Sequence, residues 1–295
     1  MRTALIFGAG GQDGSYMAEI LLAKGYEVWG THRRSSVDNL IRVRHLIGRP
    51  GFELLRCDVT DAGSVRAAFN VDPDEVYHLA DQDNVGWSED TPGYTAAVTY
   101  GGAANVLQAA ASYNAGHAGR DCKVFVPSSV TIYGPDQHGE FDPRSPYAVA
   151  KLGVLYLCRH YRYMGLNVTC GVMGNHDSPR RPGTDYVLQK IARGVPLAGT
   201  PSRTLVDVGY AREFMEAAHE LTSAGTNLDA VIKSGRRCSL ADLVAYRAGS
   251  ADVWVTRDDA RTYRSVAAVR SGGQMNAFLV LDMIMGRKPE PEVES

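Results

Sequence analysis

Tyr147 and Lys151 stand four residues apart, a spacing that puts two side chains on one helical face, one turn from each other. Upstream lies Ser128-Ser129-Val130-Thr131-Ile132-Tyr133-Gly134, directly after a short apolar run that reads as a strand. A hydroxyl at a strand end can meet a Tyr–Lys pair at a cofactor. An unperturbed tyrosine has a pKa of about 10, and a neighbouring ammonium favours its phenolate. Ser129, Tyr147 and Lys151 are therefore the candidate catalytic set, with Tyr147 as a base near neutral pH. A Tyr-x-x-x-Lys spacing alone arises readily by chance in ordinary helices, so its weight comes from the elements around it.

Strand, glycine turn, helix, strand is the arrangement that gives a glycine-rich motif meaning. Thr3-Ala4-Leu5-Ile6-Phe7 reads as a buried parallel strand and feeds Gly8-Ala9-Gly10-Gly11-Gln12-Asp13-Gly14. A helix is expected from Ser15 to Lys24, with Met17, Ile20, Leu21 and Leu22 on its apolar side; Gly25 ends it, and a second strand starts over Tyr26 to Gly30. Gly8, Gly11 and Gly14 let the backbone turn tightly beside a pyrophosphate seated at the helix N-terminus, next to Gln12 and Asp13. This G-x-x-G-x-x-G spacing differs from the usual G-x-G-x-x-G. Beyond the second strand come Arg33-Arg34-Ser35-Ser36, where an NAD site usually carries an acid. Arginine suits a 2′-phosphate, so NADP is expected ahead of NAD, with NAD also open. A third strand over Phe52 to Val59 brings Asp58 and Val59 to the adenine side.

The fourth strand is expected at Val76-Tyr77-His78-Leu79-Ala80, with Asp81-Gln82-Asp83-Asn84 bordering the nicotinamide. A helix over Tyr94 to Tyr113 would turn Ala97, Val98, Val106 and Leu107 inward. A fifth strand at Val124 to Pro127 delivers Ser128 and Ser129, a helix over Pro146 to Met164 carries Tyr147 and Lys151, and a sixth strand covers Val168 to Val172. The fold class is α/β, a Rossmann-type doubly wound parallel sheet (residues 1–175) with a smaller C-terminal substrate lobe (residues 176–295). Some later elements return to the first domain. Past Pro182 the pattern is irregular: a helix near Thr184 to Arg193, a strand near Arg203 to Val206, a helix over Tyr210 to Ser223, and a strand at Ala230 to Lys233. Ser239 begins a further helix, Asn276 to Met285 forms another, and the tail from Lys288 to Ser295 is expected to be mobile.

Composition narrows the partners. At 295 residues the chain can bury a full core, and its net charge of −2 does not suit a polyanion-binding surface, so nucleic acid is not expected. No apolar run reaches the roughly 18 residues that span a membrane, and Met1 to Gly14 enters a strand–turn pattern directly, without a signal peptide. Cys57, Cys122, Cys158, Cys170 and Cys238 are dispersed without a C-x-x-C pair, which implies reduced thiols, a cytoplasmic location and no metal site.

Several blocks together resemble the extended short-chain dehydrogenase/reductase superfamily and, within it, the GDP-mannose 4,6-dehydratase family. They are Gly11-Gln12-Asp13-Gly14-Ser15-Tyr16, Arg33-Arg34-Ser35-Ser36, Pro143-Arg144-Ser145-Pro146-Tyr147-Ala148-Val149-Ala150-Lys151 and Asn175-His176-Asp177-Ser178-Pro179-Arg180-Arg181, spread over about residues 1–195. The resemblance implies bound NADP and a GDP-hexose substrate. It implies that Tyr147 takes the proton of the sugar C4 hydroxyl, that Lys151 lowers the pKa of Tyr147 while holding the nicotinamide ribose, and that Ser129 hydrogen-bonds the same oxygen. By the same resemblance Leu79, Ala80 and His176 border the cofactor, Asn175 meets the sugar diphosphate, Val187 and Lys190 lie at the guanine, and Arg180 also binds substrate. The arginine-rich loop reaches a neighbouring subunit's cofactor in this family, which implies a homodimer or homotetramer.

The departures bear on the reaction. Where the family reads S-T-S-E-L-Y-G, Thr131 replaces the glutamate that serves C5 deprotonation and loss of the C6 hydroxyl. Such acid–base help is typically worth about 10²–10⁴-fold. The S-S-x-T-x-Y-G form is instead similar to sugar 4-epimerases. Asp81 replaces an alanine, Val206 replaces an arginine before Asp207, and Phe7 replaces a threonine. Dehydration, 4-epimerisation and 4-keto reduction all stay open, as does a non-catalytic NADP-binding regulator.

Overall fold

Alternate residues of the first strand enter separate cores in the computed structural model, which describes residues 1–135, 139–181, 183, 185–197, 205–249, 256–257, 267–270 and 277–291. In β1 (Thr3–Phe7), Ala4 and Ile6 join one buried cluster while Leu5 and Phe7 join another, as expected for a strand covered on both faces. The described strands continue as β2 (Glu27–His32), β3 (Phe52–Arg56), β4 (Glu75–His78), β5 (Lys123–Ser129), β6 (Val168–Met173), β7 (Asn175–Asp177), β8 (Leu205–Tyr210), β9 (Asp229–Lys233), β10 (Arg236–Ser239), β11 (Thr256–Arg257) and β12 (Ala267–Arg270).

Eight of these form one sheet in the order β12-β9-β6-β5-β4-β1-β2-β3, with every neighbouring pair parallel. Between β1 and β4 the winding reverses, and ligands of such sheets gather at the carboxyl edge of that switch point. The helices are α1 (Gln12–Ala23), α2 (Ala62–Ala68), α3 (Val85–Asp90), α4 (Pro92–Thr95), α5 (Gly102–Gly116), α6 (Pro146–Tyr163), α7 (Val187–Arg193), α8 (Ala211–Ser223), α9 (Leu240–Arg247) and α10 (Ala277–Ile284). Met17 and Leu21 of α1 share one core with Phe214 and Met215 of α8; Val65 of α2, Leu107 of α5 and Leu155 of α6 fill the other. A second sheet, β11-β10-β8-β7, lies beyond the carboxyl edge of the first in sequence; β7 follows β6 after Gly174 alone. Buried Asp207 of β8 pins it by accepting from Ser234 N, Ser234 Oγ and Gly235 N at 2.7–3.1 Å.

Several expectations need correction. The helix read as continuous from Tyr94 is interrupted by a π-turn over Ala96–Gly101. Its extra residue rotates the face, so Ala97 is exposed while Thr95, Val98 and Thr99 are buried. Strand β7 and helices α2 and α3 carry too few apolar residues to show a period of their own. The tail is anchored as far as Pro291: the Tyr16 hydroxyl donates to Glu290 at 2.5 Å and Arg212 to Pro291 O at 3.2 Å. Pro182, Thr184, Arg203 and Asn276, at the expected element ends, lie outside the described residues. All five cysteines are free and buried. Among the described residues no helix is long and apolar enough to cross a membrane.

Candidate active site

The glycine turn is shaped by what its neighbours leave no room for. Gly8 has φ +87°, and a Cβ there would lie 2.8 Å from the Ala80 backbone, so the exits of β1 and β4 pack directly together. A Cβ on Gly14 would stand 2.2 Å from Gly8 O. Gly11 precedes α1 without a side-chain cap, which leaves first-turn N–H groups of the helix to a ligand. Gly11, Gln12 and Asp13 line a cleft of about 470 Å³ that Ser129, Tyr147 and Lys151 also line. Bare backbone donors and a Tyr–Lys pair in one cleft suit a dinucleotide.

Helix α6 is set by its own start. Ser145 caps it by accepting from Ala148 N at 3.1 Å, and Pro146 supplies the first turn. The Ser128 hydroxyl then donates to Lys151 O at 2.8 Å, stitching α6 to the end of β5, and Tyr147 N donates to Ser88 Oγ at 3.2 Å. Tyr147 and Lys151 consequently face the carboxyl edge of the sheet while only 8% and 3% exposed. Ser129 Oγ accepts from Thr131 N at 3.3 Å and Thr131 Oγ1 at 3.0 Å. Its own proton is thereby left for Tyr147, towards which it favours the phenolate.

Lys151 Nζ donates to Pro127 O at 2.8 Å and is ion-paired with Asp81, whose other oxygen accepts from Thr99 Oγ1. Burial pulls the lysine down, but Asp81 and Tyr147 outweigh it and hold its pKa above the usual lysine value. Burial pushes Asp81 up, against Lys151 and Thr99. Tyr147 is pushed up to about 12 by burial and by Asp81 and Asp83, against the pull of Lys151 and Ser129. His78, buried beside the lysine charge, is lowered to about 3 and stays neutral.

The motif after β6 divides between cleft and scaffold. His176 lines the cleft with its Nε2 2.9 Å from Asp13 Oδ2, while Nδ1 meets Gly174 O at 2.8 Å. Burial would raise Asp13, yet His176, Arg181 and Gln12 together hold it at about 2; the same pairing overcomes burial and raises His176. Asn175 and Val187 also line the cleft. Arg180 is not among the residues that line this cleft: its guanidinium lies 4.0 Å over the Tyr16 ring and pairs with Glu19 of α1 at 2.8 Å. Arg181 is the arginine that faces the cleft, 2.8 Å from Asp83, whose other oxygen accepts from Tyr186 at 2.7 Å. The two arginines sit on a turn closed by Arg181 N donating to Ser178 O at 3.2 Å, a bend that the sequence does not announce, so neither of the two adjacent arginines is marked as the inward one.

Other expected residues fall outside the main cleft. Lys190 follows Val187 on α7 without lining it, and Leu79 lines it where Ala80 is spent on Gly8. Arg33, Arg34 and half-buried Ser35 follow β2 on an outer loop, with Asn39 donating to Arg33 O. Asp58 is exposed and accepts from Thr60 N and Oγ1, and buried Val59 packs beside Gly102. Arg42, unmarked by any motif, borders the cleft and donates to Gly10 O at 3.0 Å. Among the described residues no cluster of three or more His, Cys, Asp or Glu is arranged to hold a metal ion.

A family model described as GDP-mannose 4,6 dehydratase matches residues 5–274. GDP-mannose 4,6 dehydratase 2 of Caenorhabditis elegans is 36% identical over 263 residues, covering 81% of this chain and 68% of that one. GDP-mannose 4,6 dehydratase 2 of Arabidopsis thaliana is 38% identical over 238 residues, covering 73% and 63%. The chain thus spans about two thirds of the length of these relatives. Among solved structures, the UDP-glucose 4-epimerase of Thermus thermophilus in complex with NAD superposes with a TM-score of 0.72 at 24% identity, over 96% of this chain and 99% of that one.

Proposed function

Since this chain belongs to the GDP-mannose 4,6-dehydratase family, we propose that it oxidises the C4 hydroxyl of a nucleotide-bound hexose, with GDP-hexose as the substrate and NADP as the cofactor. The observation that carries this reading is the convergence of Ser129, Tyr147 and Lys151 in one cleft with an uncapped glycine-turn helix. A bound nicotinamide would supply the hydride acceptor. Tyr147 takes the hydroxyl proton, Ser129 donates to the same oxygen, and Lys151 supplies the positive charge that favours the phenolate. Gly11, Gln12 and Asp13 hold the pyrophosphate, His176 keeps Asp13 in place, and Arg33, Arg34 and Ser35 receive the 2′-phosphate. Leu79 borders the nicotinamide, and Asp58 and Val59 border the adenine. Asn175, Val187 and Lys190 contact the substrate nucleotide, with Arg181 in the place expected of Arg180.

A second outcome is favoured by one residue. With Thr131 where the family carries its glutamate, the reaction ends in 4-epimerisation or 4-keto reduction rather than loss of water. The dispersed, buried free thiols support work in a reducing, cytoplasmic compartment. Exposed Trp87, Tyr94, Val149 and Tyr156, on the packed helices α3, α4 and α6, support a homodimer or homotetramer. The test is incubation of the purified protein and NADP with a panel of nucleotide sugars, followed by mass analysis. Loss of two hydrogens, loss of water, or unchanged mass with altered retention supports C4 chemistry and names its outcome. No change with any sugar, together with intact cofactor binding, sinks the reading in favour of a regulator.

A further inference from the structure

Lys151 sits between two groups that can serve as its counter-ion. Its ammonium is paired with Asp81 and bonded to Pro127 O, which leaves one N–H for the Tyr147 side, where the ring centroid is 5.6 Å away. The pair is enclosed: side-chain exposure is 4% for Lys151 and 14% for Asp81, and Thr99 holds the second Asp81 oxygen from the π-turn. A buried charge is costly unless matched, so the ammonium's choice of partner has large consequences for the other anion nearby. The resembling family carries an uncharged alanine where Asp81 stands. The competition is therefore built from a charge that the resembled family's motif does not carry at this position.

We propose that Asp81 is a positioning residue that competes with the Tyr147 phenolate for the Lys151 ammonium and holds the resting site in its protonated-tyrosine form. This deepens the reading of Tyr147 as the base and rests on it. Other groups facing the pair are His78 from β4, neutral over the working range, Asp83, occupied by Arg181 and Tyr186, and the hydroxyls of Thr99 and Ser129. None of them replaces Asp81 as a charge in contact with Lys151. Removing the Asp81 charge leaves the phenolate as the anion best placed to match the ammonium, so Tyr147 releases its proton to solvent at a lower pH than in the unaltered protein. The elevation of Tyr147 towards about 12, to which Asp81 contributes after burial, agrees with the geometry.

The test is titration of protein labelled with ¹³Cζ-tyrosine, the Tyr147 resonance being the one missing from Tyr147→Phe. In the unaltered protein that resonance keeps its protonated position through about pH 10, the ordinary tyrosine value. In Asp81→Asn its midpoint falls by about 1–3 units, the usual effect of an unshared opposite charge at this range. Asp81→Ala, with the residue that the resembled family's motif carries, gives the same shift, and Asp83→Asn gives a smaller one. An unmoved Tyr147 midpoint in folded Asp81→Asn or Asp81→Ala overturns the proposal. So does an equal shift in Asp83→Asn. With a sugar that is turned over, the acidic limb of kcat/KM moves down by the same amount. If no sugar is turned over while the midpoint falls, the reaction reading fails and the role of Asp81 stands. If turnover is found and the midpoint stays, the reverse holds.

Discussion

The Thr131 hydroxyl donates to Ser129 Oγ at 3.0 Å, so the residue standing where the family has a carboxylate orients a neighbouring hydroxyl instead. With the Thr131 amide on the same oxygen, the Ser129 proton is left available to Tyr147, whose phenolate Ser129 favours. Thr131→Val removes the hydroxyl at nearly constant shape and is expected to lower kcat about 3–10-fold, the cost of one hydrogen bond of roughly 1 kcal/mol. Thr131→Glu introduces the carboxylate, and mass analysis of the product is expected to show the share that has lost water rising by about 10²-fold or more. Unchanged product in Thr131→Glu, with C4 oxidation intact, shows that a carboxylate at this position is insufficient.

Arg33 and Arg34 leave β2 into solvent beside the loop that covers the glycine turn. If they receive a 2′-phosphate, Arg33→Ala with Arg34→Ala costs NADPH about 1.5–3 kcal/mol of charge-assisted hydrogen bonding, or roughly 10–150-fold in Kd. NADH, lacking that phosphate, is expected to bind as before. Fluorescence titration of both cofactors measures the ratio, and an equal loss for the two removes the argument for NADP.

Much of this arrangement was legible because its signals are local. Alternation in Thr3–Phe7, the glycines that follow it, and the four-residue step from Tyr147 to Lys151 each depend on a few adjacent residues. The rest depends on packing across the sheet. Asp81 follows β4 and Lys151 lies on α6, so their pairing needs β4 and β5 to be neighbours before it exists at all. Ala97 looks inward on a regular helix and turns outward because the π-turn inserts one residue. Glu290, in a polar tail with no period, is held by a tyrosine far away in sequence.

Arg180 separates scaffold from substrate contact. Its guanidinium reaches Glu19, Ser15 and the face of Tyr16, and Glu290 stands 3.5 Å away. Arg180→Ala leaves the largely buried Glu19 with His45 Nε2, at 2.6 Å, as its remaining partner and is expected to destabilise the fold by about 1–3 kcal/mol. Urea denaturation measures the loss. At temperatures where the variant stays folded, KM for the sugar nucleotide is expected to be unchanged, whereas Arg181→Ala, at the cleft, raises it. A KM effect of Arg180→Ala without a stability effect returns Arg180 to the substrate.

Asp13 and His176 tie the start of α1 to β7, and the two titrate in opposite senses. Asp13 is held at about 2 against 3.8 unpaired, so its contribution is present above 3.8 and lost as pH falls towards 2. His176 is raised above 6.5, so its contribution is complete below 6.5 and lost as pH rises through the raised value. Both operate together between about pH 4 and 6.5. Asp13→Asn removes the charge at constant shape and is expected to cost about 1.5–3 kcal/mol within that window. The gap between the parent and Asp13→Asn then narrows on either side as His176 loses its proton or Asp13 gains one. Denaturation midpoints of the two proteins, measured without cofactor across the range, check the sign. A gap that stays constant with pH means that the contact acts by shape and not by charge.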